Sequence, residues 1–167
     1  MKSSKIMESR NNLIDKAISR LTISRNDWVK CIDFLNALSN HGYGDIAYEA
    51  LLVSAIVFYA RPFSHNEKGN NLKADAKVDL KVLEGLDETK MQLHHQVIEL
   101  RNTAVAHMEW NSHPVAVTGD GVIQSFPFSI WQRFHQSDVN RFVELVNHVL
   151  NNAHHLTADS IHTKLLG

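Results

Sequence analysis

Groups able to do chemistry crowd into one stretch of this 167-residue chain, Gln96 to Trp110, which reads QVIELRNTAVAHMEW. Arg101 supplies a fixed positive charge, Asn102 an amide, and His107 a group that exchanges a proton near neutral pH. No Gly or Pro interrupts Glu88 to His107, so a long helix is expected from Asp87 to His107. At about 100° per residue, Leu93, Val97, Ile98, Leu100, Ala104, Val105 and Met108 fill one arc, with Gln92, Gln96, Glu99 and Thr103 opposite. Arg101 falls near the middle of the apolar arc. Burying an unpaired guanidinium costs several kcal/mol, so Arg101 requires either a ligand or a carboxylate. Asp45 and Glu49, at the start of an apolar helix upstream, are the available carboxylates.

The elements that must position this stretch follow from apolar spacing. Met1 to Glu8 is polar and expected to be frayed, leaving residues 9–167 as a single domain. Leu13, Ile14, Ala17, Ile18 and Leu21 predict a first helix. Ser24 is an N-cap candidate for a second, carrying Trp28, Cys31, Ile32, Leu35 and Leu38. Asp45 to Ala60 predicts a third, apolar nearly all round from Ala50 and therefore central. Pro62 stops it, and Arg61 to Ala74 reads as a long polar loop. After the motif helix, Val115 and Val117 lead through Gly119-Asp120-Gly121 to Val122, Ile123, Phe126 and Phe128. That pattern predicts a β-hairpin over about residues 114–128, packed on the helices. Ser137 is the cap candidate for a last long helix bearing Phe142, Leu145, Val146, Val149 and Leu150. The fold class is thus all-α, a single-domain bundle of about five principal helices with one inserted hairpin.

Composition restricts the partners. A net charge of −1 argues against a protein that coats nucleic acid through a general basic excess, yet leaves room for one that grips a few phosphates. The single cysteine, Cys31, excludes an internal disulfide framework and fits a reducing compartment. Neither a secretory segment nor a run long enough to span a bilayer is expected, because the most apolar stretch, Ala50 to Ala60, is too short. The expectation is a cytoplasmic protein without a membrane partner.

Other polar clusters have plainer readings. Arg61, His65 and Glu67 form a second group in the polar loop, most simply as solvated side chains. Neither His94-His95 nor His154-His155 has the i, i+4 spacing of a helical zinc site, and one cysteine cannot build a thiolate site, so no metal is expected. Walker loops, nucleotide-binding glycine fingerprints and nucleophile elbows are absent from the sequence, and no cofactor is expected.

The Arg-Asn-x4-His arrangement of Arg101, Asn102 and His107 resembles the motif of the HEPN superfamily (higher-eukaryote and prokaryote nucleotide-binding proteins). Bare spacing discriminates poorly, since Arg141 and His148 also approximate it on what reads as an ordinary amphipathic helix, most simply as a solvated pair. Arg101 differs in its neighbour Asn102, its place in an apolar arc, and a histidine near the helix end.

The resemblance implies a helical bundle that dimerises around a composite cleft and cleaves RNA without metal. On it, His107 is the general acid/base, Arg101 the phosphate clamp and Asn102 an orienting hydrogen-bonder. The ribose 2′-OH attacks phosphorus and leaves a 2′,3′-cyclic phosphate. The implied partners are RNA, a second copy of the chain and an antitoxin or other regulatory protein, in a toxin–antitoxin or abortive-infection setting. Some relatives are non-catalytic, so a helical interaction or nucleotide-binding module using the same cleft is the alternative. Six helical positions separate Arg101 from His107 by about 120° and about 9 Å. The helix must therefore end or bend near Ala106, or the two groups must work from different protomers.

Overall fold

The computed structural model describes residues 2–64, 78–102, 115–117, 119, 123–125, 130 and 134–166. These residues form four α-helices: α1, Lys2–Ala37; α2, Ile46–Ala60; α3, Glu88–Leu100; and α4, Gln136–Leu166. Three short 3-10 turns punctuate them at Leu38–Asn40, Arg61–Phe63 and Leu80–Leu83. The described structure is mostly helical, as an all-α chain requires. Two three-residue strands, β1 (Val115–Val117) and β2 (Ile123–Ser125), pair antiparallel with Val117 opposite Ile123. The rest of the 114–128 stretch, Gly119 excepted, lies outside the described residues.

The count of about five principal helices is corrected to four, because the two expected before residue 40 are one. α1 runs unbroken for 36 residues, and Ser24 lies inside it, buried. Its hydroxyl is not a cap: Ser24 Oγ has no hydrogen-bond partner. The physical reason is a seam that ignores the expected break. Leu21, Ser24, Trp28, Cys31, Leu35 and Leu38 are all buried at alternating steps of three and four, one continuous stripe on a helix. A cap residue is worth about 1 kcal/mol, whereas each large apolar side chain buried by continuing the helix contributes about 1.5–3 kcal/mol.

α2 is apolar, and from Ala50 to Ala60 every residue but Ala50 is buried or half-buried. Tyr48, Leu52, Ala55, Ile56, Tyr59 and Ala60 face the core, while Ile46 is 87% exposed. Length and composition alone would let Ile46–Phe63 cross a bilayer; here its inner face packs mainly on α1.

Local chemistry sets the ends of the later helices. Asp87 caps α3, its Oδ1 accepting from Lys90 N at 2.8 Å. Upstream, Asp79 Oδ1 accepts from Lys81 N at 3.0 Å and starts the 3-10 turn. Gly85 follows with φ +78°, a conformation that side-chain-bearing residues resist. α4 begins at Gln136 rather than after a Ser137 cap, and Asp138 Oδ2 accepts the backbone N–H of His135 at 3.1 Å. The far end of α4 returns along the first half of α1, where Lys164 pairs with Asp15. In its middle, Asn152 Nδ2 donates to the carbonyls of Val82 at 3.1 Å and Glu84 at 2.8 Å.

The core lies among α1, α2, α3 and α4, with Trp28, Tyr59, Phe134 and Phe142 its largest fully buried side chains. Trp28 packs on Phe63 and donates from Nε1 to the Tyr59 carbonyl at 3.2 Å. Trp28→Ala should therefore lower unfolding free energy by about 3–5 kcal/mol, measured by urea titration of the helical circular dichroism. A loss below about 1 kcal/mol, the range of a surface substitution, would contradict this packing.

Candidate functional site

α3 is the element that carries the motif. Its buried stripe is Leu93, His94, Val97 and Leu100, one residue per turn or nearly so, with Ile98 packed at the edge. The α-helix closes at Leu100, and Arg101 and Asn102 continue it in π-helical geometry. The Arg101 backbone N–H is shared between the Val97 and Ile98 carbonyls. Sharing of one N–H between the i−3 and i−4 carbonyls is common at helix ends, whereas π-helical turns are uncommon and recur at functional sites.

Arg101 itself is half-buried, and its Nη1 donates to Asn102 Oδ1 at 3.0 Å. The first two motif residues are thus tied to one another at the end of the helix. The third, His107, lies outside the described residues. Among the described residues no ion pair joins Arg101 to Asp45 or Glu49. Asp45 instead accepts the Gly42 N–H at 2.9 Å.

The polar residue that α3 does bury is His94. Seven positions before Arg101, it lies within about 20° of the same azimuth, yet is only 6% exposed. Its Nδ1 stands 2.8 Å from Tyr59 Oη. The rings of Tyr59 and Phe63 both meet it edge to face, with centroids 5.8 and 4.8 Å away. Burial lowers the His94 pKa to about 4, with the neighbouring His95 adding a smaller push in that direction. With Nδ1 unprotonated, a neutral His94 accepts a hydrogen bond there from the Tyr59 hydroxyl. Burial likewise holds the Tyr59 phenol well above its ordinary pKa, so this donor stays protonated. Tyr59 and His94 went unnoticed as a pair in the sequence because they are 35 residues apart; the available signal was that His94 shares the apolar arc with Arg101.

The remaining candidates separate. Arg141 is exposed, as expected, whereas His148 is half-buried. Arg141 Nη1 contacts Asp138 Oδ1 at 2.9 Å, and His148 Nε2 donates to the Glu84 carbonyl at 2.8 Å, helping to tether α4 to the turn before α3. Arg61 reaches Asp27 Oδ1 at 3.4 Å and lies 5.2 Å over the Phe58 ring, while His65 and Glu67 fall outside the described residues. No group of three metal-ligating side chains occurs among the described residues.

Comparison with known proteins finds no matching family model, no matching curated protein and no matching solved structure.

The sign of the His94 effect on stability follows from its lowered pKa. The unfolded chain takes up a proton near pH 6.5 and the folded chain only near pH 4, so acid favours unfolding. This contribution is complete above about pH 6.5 and is lost as pH falls to about 4, a total of roughly 2–3 kcal/mol. Chemical denaturation between pH 7 and 4 should show that loss in the wild type and a shallower one in His94→Gln; equal slopes would contradict the buried neutral imidazole.

Proposed function

We propose that this chain is a metal-independent endoribonuclease of the HEPN kind. The observation that supports the reading is the Arg101–Asn102 pair at the end of α3. A half-exposed guanidinium, held at 3.0 Å by its own neighbour, stands where the helix widens. A guanidinium in that setting can meet a phosphodiester with several N–H donors and hold the charge that develops on it. His107, five residues beyond Asn102, is the group that exchanges the proton with the ribose 2′-OH or the leaving oxygen. Asn102 orients Arg101, and no metal takes part.

The working unit is a homodimer with two motif copies around one cleft, acting on RNA in the cytoplasm. Its near-neutral charge fits a defined RNA target or control by an antitoxin-like partner protein better than indiscriminate binding. The alternative, a binding module that keeps the cleft without turnover, differs in one outcome: RNA bound and left intact.

Purified protein with labelled single-stranded RNA in EDTA should produce discrete fragments. Arg101→Ala or His107→Ala should slow cleavage by at least about 100-fold, while Arg101→Ala keeps a melting temperature close to wild type. Undiminished cleavage in both variants would refute the assignment. A large drop in melting temperature for Arg101→Ala would instead make Arg101 a structural residue.

A further inference from the structure

α3 buries one polar side chain among the described residues, His94, at a position where an apolar residue would need no partner. That partner is Tyr59, fully buried on α2, whose hydroxyl stands 2.8 Å from His94 Nδ1. The bond is enclosed by rings. Phe63 meets the imidazole edge to face with centroids 4.8 Å apart, and Phe142 of α4 meets Tyr59 in the same way at 5.2 Å. The Tyr59 carbonyl in turn accepts the Trp28 N–H of α1. Its hydroxyl is therefore a fixed point against which α3 is set.

Apolar contacts and this bond constrain α3 differently. Hydrophobic surfaces of the right volume hold a helix in place, yet such cores lose uniqueness before they lose stability. A hydrogen bond weakens steeply as its angle closes, so a satisfied buried one selects a single rotation and height of one helix on the other. α3 has the most need of it. At 13 residues it is the shortest of the four helices, and it packs less extensively on α2 and α4 than α1 does.

The same rotation reaches the motif. Arg101 lies seven positions beyond His94, about 10 Å along the axis and within about 20° in azimuth, with neither Gly nor Pro between them. Side chains extend roughly 5–6 Å from a helix axis, so turning α3 by about 20° would carry the Arg101 side chain about 2 Å. A misplacement of about 1 Å can cost about 100-fold in rate where positioning carries catalysis.

We infer that Tyr59 and His94 are positioning residues for the Arg101–Asn102 turn. Their hydrogen bond sets the rotation of α3, and with it the place of the Arg101 guanidinium and of Asn102, to which Arg101 is bonded at 3.0 Å. Both are buried and act through Arg101 rather than on substrate. The inference rests on the reading of Arg101 as the group that holds the phosphodiester.

The test separates position from stability. Tyr59→Phe together with His94→Leu removes both partners, keeps both sites filled, and leaves no buried polar atom unpaired, an exchange that can be nearly neutral for stability. The double variant should melt near wild type, yet amide NMR of the full chain should show the Arg101 and Asn102 resonances displaced. In RNA cleavage it should lower kcat about tenfold or more with KM changed less than about twofold, the signature of a lost transition-state contact. A merely structural pair predicts recovery of all three. Tyr59→Phe alone serves where the double variant does not fold. A wild type that cleaves no RNA refutes the ribonuclease reading, and the resonances then decide the inference by themselves. Arg101 and Asn102 resonances at their wild-type places, or an undiminished kcat in an active protein, overturn it.

Discussion

The contact on which the bundle depends most is the one made by Tyr59. Its carbonyl accepts the Trp28 indole N–H from α1, and its hydroxyl meets His94 of α3 at 2.8 Å. Its ring stands edge to face on Phe142 of α4, with centroids 5.2 Å apart. One fully buried residue of α2 therefore touches each of the other three helices. Removing the hydroxyl would leave a buried imidazole nitrogen without its partner, which costs about 1–3 kcal/mol. A buried polar pair of this kind also fixes register, because only one pairing of α2 with α3 satisfies both groups.

That register matters for the end of α3. Seven helical positions carry the chain about 10 Å from His94 to Arg101, so fixing His94 against Tyr59 fixes where the Arg101–Asn102 turn emerges. Two further ties hold the other end of α3 in place: the Asp87 cap, and the His148 and Asn152 contacts to the turn before it. Arg101 and Asn102 themselves thus carry little of the packing. They sit on a helix whose position is decided by its neighbours, which is how a rigid scaffold presents a reactive surface.

Much of this was legible in the sequence where local chemistry and burial agree. The apolar run gives α2 to within a residue of Ile46–Ala60, and the run free of Gly and Pro gives the start of α3 to within a residue. The failures occurred where the two conflict. Ser24 has the propensity of a cap, but the seam from Leu21 to Leu38 runs through it, and burial outweighs capping. Arg101 and His94 share one arc on a helical projection. Only tertiary contacts decide which is buried, and the decision went to His94 because Tyr59 supplies a hydroxyl there. An uncharged imidazole is also cheaper to bury than a guanidinium, which cannot shed its charge. Arg20 and Asp27 of α1 meet the Arg61–Pro62 turn from far along the chain, so no local pattern announces those contacts.

The functional account joins an accessible Arg101–Asn102 turn to a histidine five residues further on. Its central claim is chemical: the RNA's own 2′-OH is the nucleophile, and neither water nor a metal-bound hydroxide attacks phosphorus. The ends of the product record which nucleophile acted. Mass spectrometry of fragments generated in EDTA should find 2′,3′-cyclic phosphate on the upstream piece and 5′-OH on the downstream piece. A 3′-OH paired with a 5′-phosphate would contradict the account.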